Sequence, residues 1–175
     1  MAALEARELS IPDLIADQLI KLRLFSDTTK APILDLSAVI SLENALKCVL
    51  PDVVLALFAN GDDQLFDWCG IDLEEAYDHT LEAHCKGLSK DLIVIGRHPD
   101  DHCYYCVPRQ SKRNAIPGIT EFDNFDQGTA WHSLEEWLTQ LVEDQSDVHE
   151  KAPEVTDTMR QEFRPALTNE SGWSQ

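Results

Sequence analysis

The chain has 175 residues, and 14 Lys and Arg against 32 Asp and Glu leave a formal charge of −18, with 43% of residues apolar and 26% charged. That composition supports one core-forming domain and excludes an acidic disordered chain. It also disfavours phosphate backbones and anionic membrane surfaces as partners, because the densest basic stretch, Arg109, Lys112 and Arg113, is too small to line a groove. No nucleic acid and no membrane is therefore expected, and the charge points to solubility or to a basic partner.

Met1 to Glu8 carries Glu5 and Glu8 and leads into an amphipathic stretch, so no secretory leader is expected. The apolar runs fall far short of the roughly 20 residues that cross a bilayer. Cys48, Cys69, Cys85, Cys103 and Cys106 form an odd set without small-domain disulfide spacing. Free thiols in the cytoplasm are the expectation.

Ile11, Leu14, Ile15, Leu19 and Leu22 recur at helical spacing and predict a helix over about 11–24, with Ser10 as its cap and Asp13 completing a capping-box-like start. After a loop over 26–32, Leu36, Val39, Leu42, Ala45, Leu46 and Val49 keep the helical period up to a break before Pro51. Pro51 opens a short helix that carries Val53, Val54, Leu57 and Phe58 inward and stops at Asn60-Gly61. Asp72 and Glu75 then have capping-box spacing. Leu73, Ala76, Tyr77, Leu81, Cys85 and Leu88 make one apolar stripe of a helix ending at Gly87. From Asp91 the period changes: Leu92 to Ile95 read as a buried strand bounded by Gly96 and Pro99, and Cys103 to Val107 as a second. A third over Ile116 to Phe122 is weakened by Pro117 and Gly118, which places it at an edge or delays its start to Ile119. The final helix has Ser133 as cap, Glu136 three on, and Leu134, Trp137, Leu138 and Leu141 on one face. This order predicts an α+β domain over 1–143, with a mainly antiparallel sheet flanked by helices. Residues 144–175 read as a polar tail, flexible by default, in which Val155, Met159 and Phe163 could instead form a short docking helix.

His98, His102, Cys103 and Cys106 offer four zinc ligands within nine positions. On a strand, however, Cys103 and Cys106 point to opposite faces and cannot close on one tetrahedral ion, so no metal is expected. A redox CxxC normally opens a helix, and a strand supplies no field to lower a thiol pKa. His84 and Cys85 are adjacent on their helix and diverge by about 100°, which reads as a core thiol beside a boundary histidine; His79 reads as solvated. The nucleophile-elbow and phosphate-loop patterns are absent, and 121–128 matches a calcium loop in composition alone. Neither a catalytic residue nor a cofactor is expected.

What remains is clustered acidity. Residues 31–90 hold 3 basic and 11 acidic residues, 121–150 hold 0 and 9, and 91–120 hold 4 and 3. Asp62, Asp63 and Asp67 with Trp68, and Asp123 and Asp126 with Phe125 and Trp131, fall in predicted loops and suit a cationic protein surface. Trp131 is expected to anchor the core. With Asp100, Asp101 and Glu121, these acids and the aromatics Trp68 and Phe125 form the candidate partner-binding set.

The stretch Leu42-Glu43-x-x-Leu46-x-x-x-Leu50-Pro51, then Leu57-Phe58-Ala59-Asn60-Gly61, the strands Leu92 to Gly96 and Cys103 to Val107, and Ala130-Trp131-His132-Ser133-Leu134-Glu135-Glu136-Trp137-Leu138 together resemble the SUKH superfamily over roughly residues 35–143. The resemblance implies an α+β binding module that is not an enzyme. Many bacterial members are immunity proteins that neutralise a cognate toxin, and eukaryotic relatives are interaction hubs. The leading expectation is a cytoplasmic immunity protein that covers a basic active site of its toxin with acidic loops. The alternatives are a regulatory scaffold and a small zinc-binding protein.

Overall fold

Ile15, Leu19 and Leu22 form the buried face of α1 (Asp13–Phe25), and this face packs on the last long helix. The helix starts later than expected. The Pro12 carbonyl accepts the Ala16 N–H, while the Ser10 N–H goes to Asp52, so Ser10 ties down the chain ahead of the helix. The computed structural model describes residues 4–25, 33–60, 71, 73–98, 103–123, 126–149 and 154–169, with the backbone alone described at 126, 127, 129, 130, 148 and 149.

A short strand β1 (Arg7–Glu8) precedes α1, and β2 (Ile33–Asp35) leads into α2 (Leu36–Leu46), whose N-cap Asp35 accepts the Ser37 N–H. Lys47 ends α2 in the left-handed region at φ 52°, and the Cys48 N–H returns to the Glu43 carbonyl. Pro51 precedes α3 (Asp52–Asn60), an almost wholly buried helix, as its apolar run requires. Next is α4 (Glu75–Cys85), closed by a Schellman turn: Gly87 lies at φ +108°, its N–H bonds the His84 carbonyl, and the Leu88 N–H bonds Ala83.

β3 (Leu92–Arg97), β4 (Cys103–Pro108), β5 (Ile119–Asp123) and β6 (Asp126–Trp131) form an antiparallel sheet in that spatial order. The third strand does begin at Ile119. Gly118 just before it passes so close to the His132 carbonyl that an added Cβ would stand 3.1 Å from that oxygen. β6 is a correction: the segment expected as an acidic loop pairs with β5, residue Asp126 opposite Asp123 and Gly128 opposite Glu121. α5 (Leu134–His149) follows with its expected cap, the Ser133 Oγ accepting the Glu136 N–H at 3.2 Å and the Glu136 carboxylate accepting the His132 N–H at 2.9 Å.

The expectation of a flexible tail from 144 is also corrected. α5 runs on to 149, and α6 (Asp157–Glu162), the docking helix weighed as the alternative, packs on α1. β7 (Ala166–Thr168) then enters between β1 and β2, antiparallel to the first and parallel to the second, making a second sheet that exists because the chain's end returns to its beginning. Phe163 and Leu167 are buried there, with the Arg23 guanidinium 5.5 Å from the Phe163 ring centre. The fold is thus α+β, with six helices and two sheets among the described residues. No helix among them is long and apolar enough to cross a membrane.

Candidate interaction surface

The hairpin β5–β6 and the helix α5 contain no Lys or Arg between residues 119 and 149, and they carry Glu121, Asp123, Asp126, Glu135, Glu136, Glu143, Asp144 and Asp147. Asp123, Glu136, Glu143, Asp144 and Asp147 are exposed and Glu121 is half-buried. The inner face of the same unit is fixed by aromatic packing. Trp137 is 5.1 Å from Tyr105 and 6.5 Å from Trp131 between ring centres, with Trp131 5.9 Å from Tyr105, all tilted pairs. Trp131 anchors the core, as expected, so the exposed side of this unit is left to the acids.

Several acids elsewhere are matched. Arg7 makes a bidentate pair with the buried Asp52 at 2.7 Å for both contacts. Arg113 grips Glu43 with both terminal nitrogens and also donates to the Leu50 carbonyl, while Glu43 accepts the Leu50 N–H at 2.8 Å. Arg160 bonds Asp17 and Asp157, Arg164 meets Glu8, and Lys86 pairs with Glu82. Among the described residues no cation pairs with Glu121, Asp123, Glu135, Glu136, Glu143, Asp144 or Asp147. This unit thus carries a run of exposed acids with no cation of its own and, among the described residues, none paired to it.

Of the expected partner-binding residues, Asp62, Asp63, Asp67, Trp68, Asp100, Asp101 and Phe125 lie outside the described residues. Glu121 and Asp123 lie together on β5, and Asp126 opens β6 opposite Asp123.

The sulfur and imidazole groups do not converge. Cys103 and Cys106 are buried, three residues apart on β4 and hence on opposite faces, and His102 lies outside the described residues. No group of three or more His, Cys, Asp or Glu among the described residues is placed to hold a metal ion. Burial, with the neighbouring Cys103, pushes the Cys106 thiol well above its usual range, and burial followed by Glu43 pushes Cys48 up to about 11. Both are poor nucleophiles near neutrality.

Of the stripe expected on α4 and its flanks, Leu73, Ala76 and Leu88 are buried, and the rest is corrected. The buried face of the helix is Ala76, Thr80, Ala83 and His84, whereas Tyr77, Leu81 and Cys85 are exposed. His79, expected in solvent, is half-buried with its ring 5.6 Å from that of Tyr104. The reason is the sheet edge beneath the helix. Thr80 Oγ1 accepts the Val94 N–H at 3.0 Å and His84 Nε2 donates to the Leu92 carbonyl at 2.8 Å. A carbonyl can only accept, so His84 carries its proton on Nε2. Two side chains four apart on one helix thus take the place of a neighbouring strand along β3. The i, i+4 spacing of a hydroxyl and an imidazole was the available signal.

Compared with family models, curated proteins and solved structures, the chain matches none.

Proposed function

We propose that this chain is a protein-binding module acting as an immunity protein, neutralising a cognate toxin by covering a cationic surface of it. The observation that carries the reading is that the exposed acids of β5 and α5 have no paired cation among the described residues, on a unit whose inner face is packed by Tyr105, Trp131 and Trp137. A nuclease or similar toxin presents Lys and Arg where substrate phosphates bind, and fixed carboxylates can occupy that place. The resemblance of the Leu42-Glu43 to Leu50-Pro51 stretch and of the Ser133 to Leu138 helix to the SUKH superfamily supports the same reading, as does the expected cytoplasmic location, where a delivered toxin would be met. The pairing of Glu43 with Arg113 and the Leu50 backbone gives that glutamate a structural task, holding the joint between α2 and α3.

The test is co-expression with the toxin encoded beside the chain's own gene. Restored growth, lost when Glu121, Asp123, Glu143 and Asp144 are all replaced by Lys in a variant that still folds, is the expected result. Growth arrest unrelieved by the natural chain, or a locus without such a toxin, overturns the immunity reading.

A further inference from the structure

The four-stranded sheet has two edges, and they are treated differently. α4 covers β3, with Thr80 and His84 bonding the Val94 N–H and the Leu92 carbonyl. β6 is the other edge, and among the described residues no strand pairs with its outer side. Two residues separate Asp123 from Asp126, so this closing pair is of the hydrogen-bonded kind and Glu121–Gly128 is the next. An added Cβ at Gly128 would lie 3.9 Å from the Glu121 carbonyl, in keeping with that alternation. Gln127 and Thr129 consequently turn their backbone N–H and C=O groups away from β5.

Natural edges that must stay free carry Pro, Lys or a covering element. β6 (Asp126–Trp131) contains neither Pro nor Lys, and its β5–β6–α5 unit contains acids without a single Lys or Arg. We propose that the outer edge of β6 accepts an extended, Lys- and Arg-bearing segment of a partner protein as a fifth strand. The inference rests on the reading of the chain as a binder of a cationic protein and supplies the mode of binding. Charge complementarity selects the occupant. Opposite charges across a strand pair attract, whereas a second copy would set the same acids against one another. Main-chain bonds would give affinity and the flanking carboxylates would choose the basic strand.

The probe is a blocked peptide of four Lys-Val repeats, titrated into the full chain at low salt while backbone amide shifts are followed. Shifts centred on β6 are expected. Affinity should fall at least about tenfold for the peptide N-methylated at two successive central residues, which removes a donor from each of its edges, and by a similar factor in Gln127→Pro, which removes an outward N–H without touching the β5 ladder. The methylated peptide leaves the protein unaltered, so the test stands even if Gln127→Pro fails to fold. Binding indifferent to both changes, or shifts confined to α5, overturns strand addition while the cationic-partner reading stands. No binding at low salt overturns strand addition too, and the growth test above then judges that reading independently.

Discussion

Replacing Thr80 with Val changes the shape of the side chain little and deletes the oxygen that accepts the Val94 N–H. Thr80 is 0% exposed, so water cannot take the vacated place. The Val94 amide would be left buried without a partner, at a cost of about 1–3 kcal/mol. Taking about 2 kcal/mol, a chain of this size should lose roughly 4–8 °C in Tm. The effect should also be local: about 2 kcal/mol corresponds to about 30-fold faster hydrogen exchange if it falls on a local opening of β3. Thermal unfolding and amide exchange of Thr80→Val against the natural chain check both numbers. An unchanged Tm with an unchanged Val94 exchange rate would refute the claim that α4 seals this edge by hydrogen bonding.

Glu43→Ala removes a paired carboxylate and the acceptor of the buried Leu50 N–H. About 3 kcal/mol is expected, at the lower end for a broken buried pair because the Arg113 side chain is 31% exposed, and Glu43→Gln should cost less than half of that; urea midpoints read both. The end of the chain should be held by its apolar anchors. Leu167→Ala is expected to cost about 2–5 kcal/mol, whereas Arg160→Ala, whose ion pairs lie in solvent, should leave the unfolding midpoint nearly unchanged. Among the four cysteines described, Cys85 should label first with a thiol reagent at neutral pH, as peptide mapping can show, because Cys48, Cys103 and Cys106 are partly or wholly buried. Cys48 titrates near 9 when unfolded and at about 11 in the fold, so its stabilising contribution is complete below pH 9 and is lost as pH rises from there toward 11. The alkaline loss of stability should accordingly be shallower in Cys48→Ala.

Elements with bulky apolar residues at a regular period were legible. Ile15, Leu19 and Leu22 marked α1, the run Leu92 to Ile95 marked β3, Ser133 and Glu136 marked the start of α5, and Pro117-Gly118 set β5 to begin at Ile119. α4 was legible as a helix and its face only in part: Leu73, Ala76 and Leu88 are buried as expected, Tyr77, Leu81 and Cys85 are not. Periodicity counts apolar bulk, but this helix lies close on a strand edge and buries small and hydrogen-bonding residues instead. β6 was missed because Asp-Gln-Gly-Thr-Ala-Trp has little strand propensity of its own and is made a strand by pairing with β5. β7 has three residues, and its place between β1 and β2 depends on contacts across almost the whole chain length, which no local pattern carries.

The acids of the candidate surface were legible as composition, and their separation from the paired acids was not. Asp52, Glu43 and Asp17 look no different in sequence from Asp123 or Asp144; what distinguishes them is an arginine brought close by folding. A charge of −18 is thus partly internal bracing and partly outward potential, and β5 and α5 hold a share of the outward part in a stretch without Lys or Arg.

The most direct measurement of that claim is the association rate of the chain with its neighbouring toxin as a function of ionic strength. A basic target steered by the β5–β6–α5 acids should bind at least about tenfold more slowly between roughly 50 and 500 mM salt, and the Lys-substituted variant should lose most of that dependence. Equal rates for the two proteins, flat across the salt series, would contradict the account.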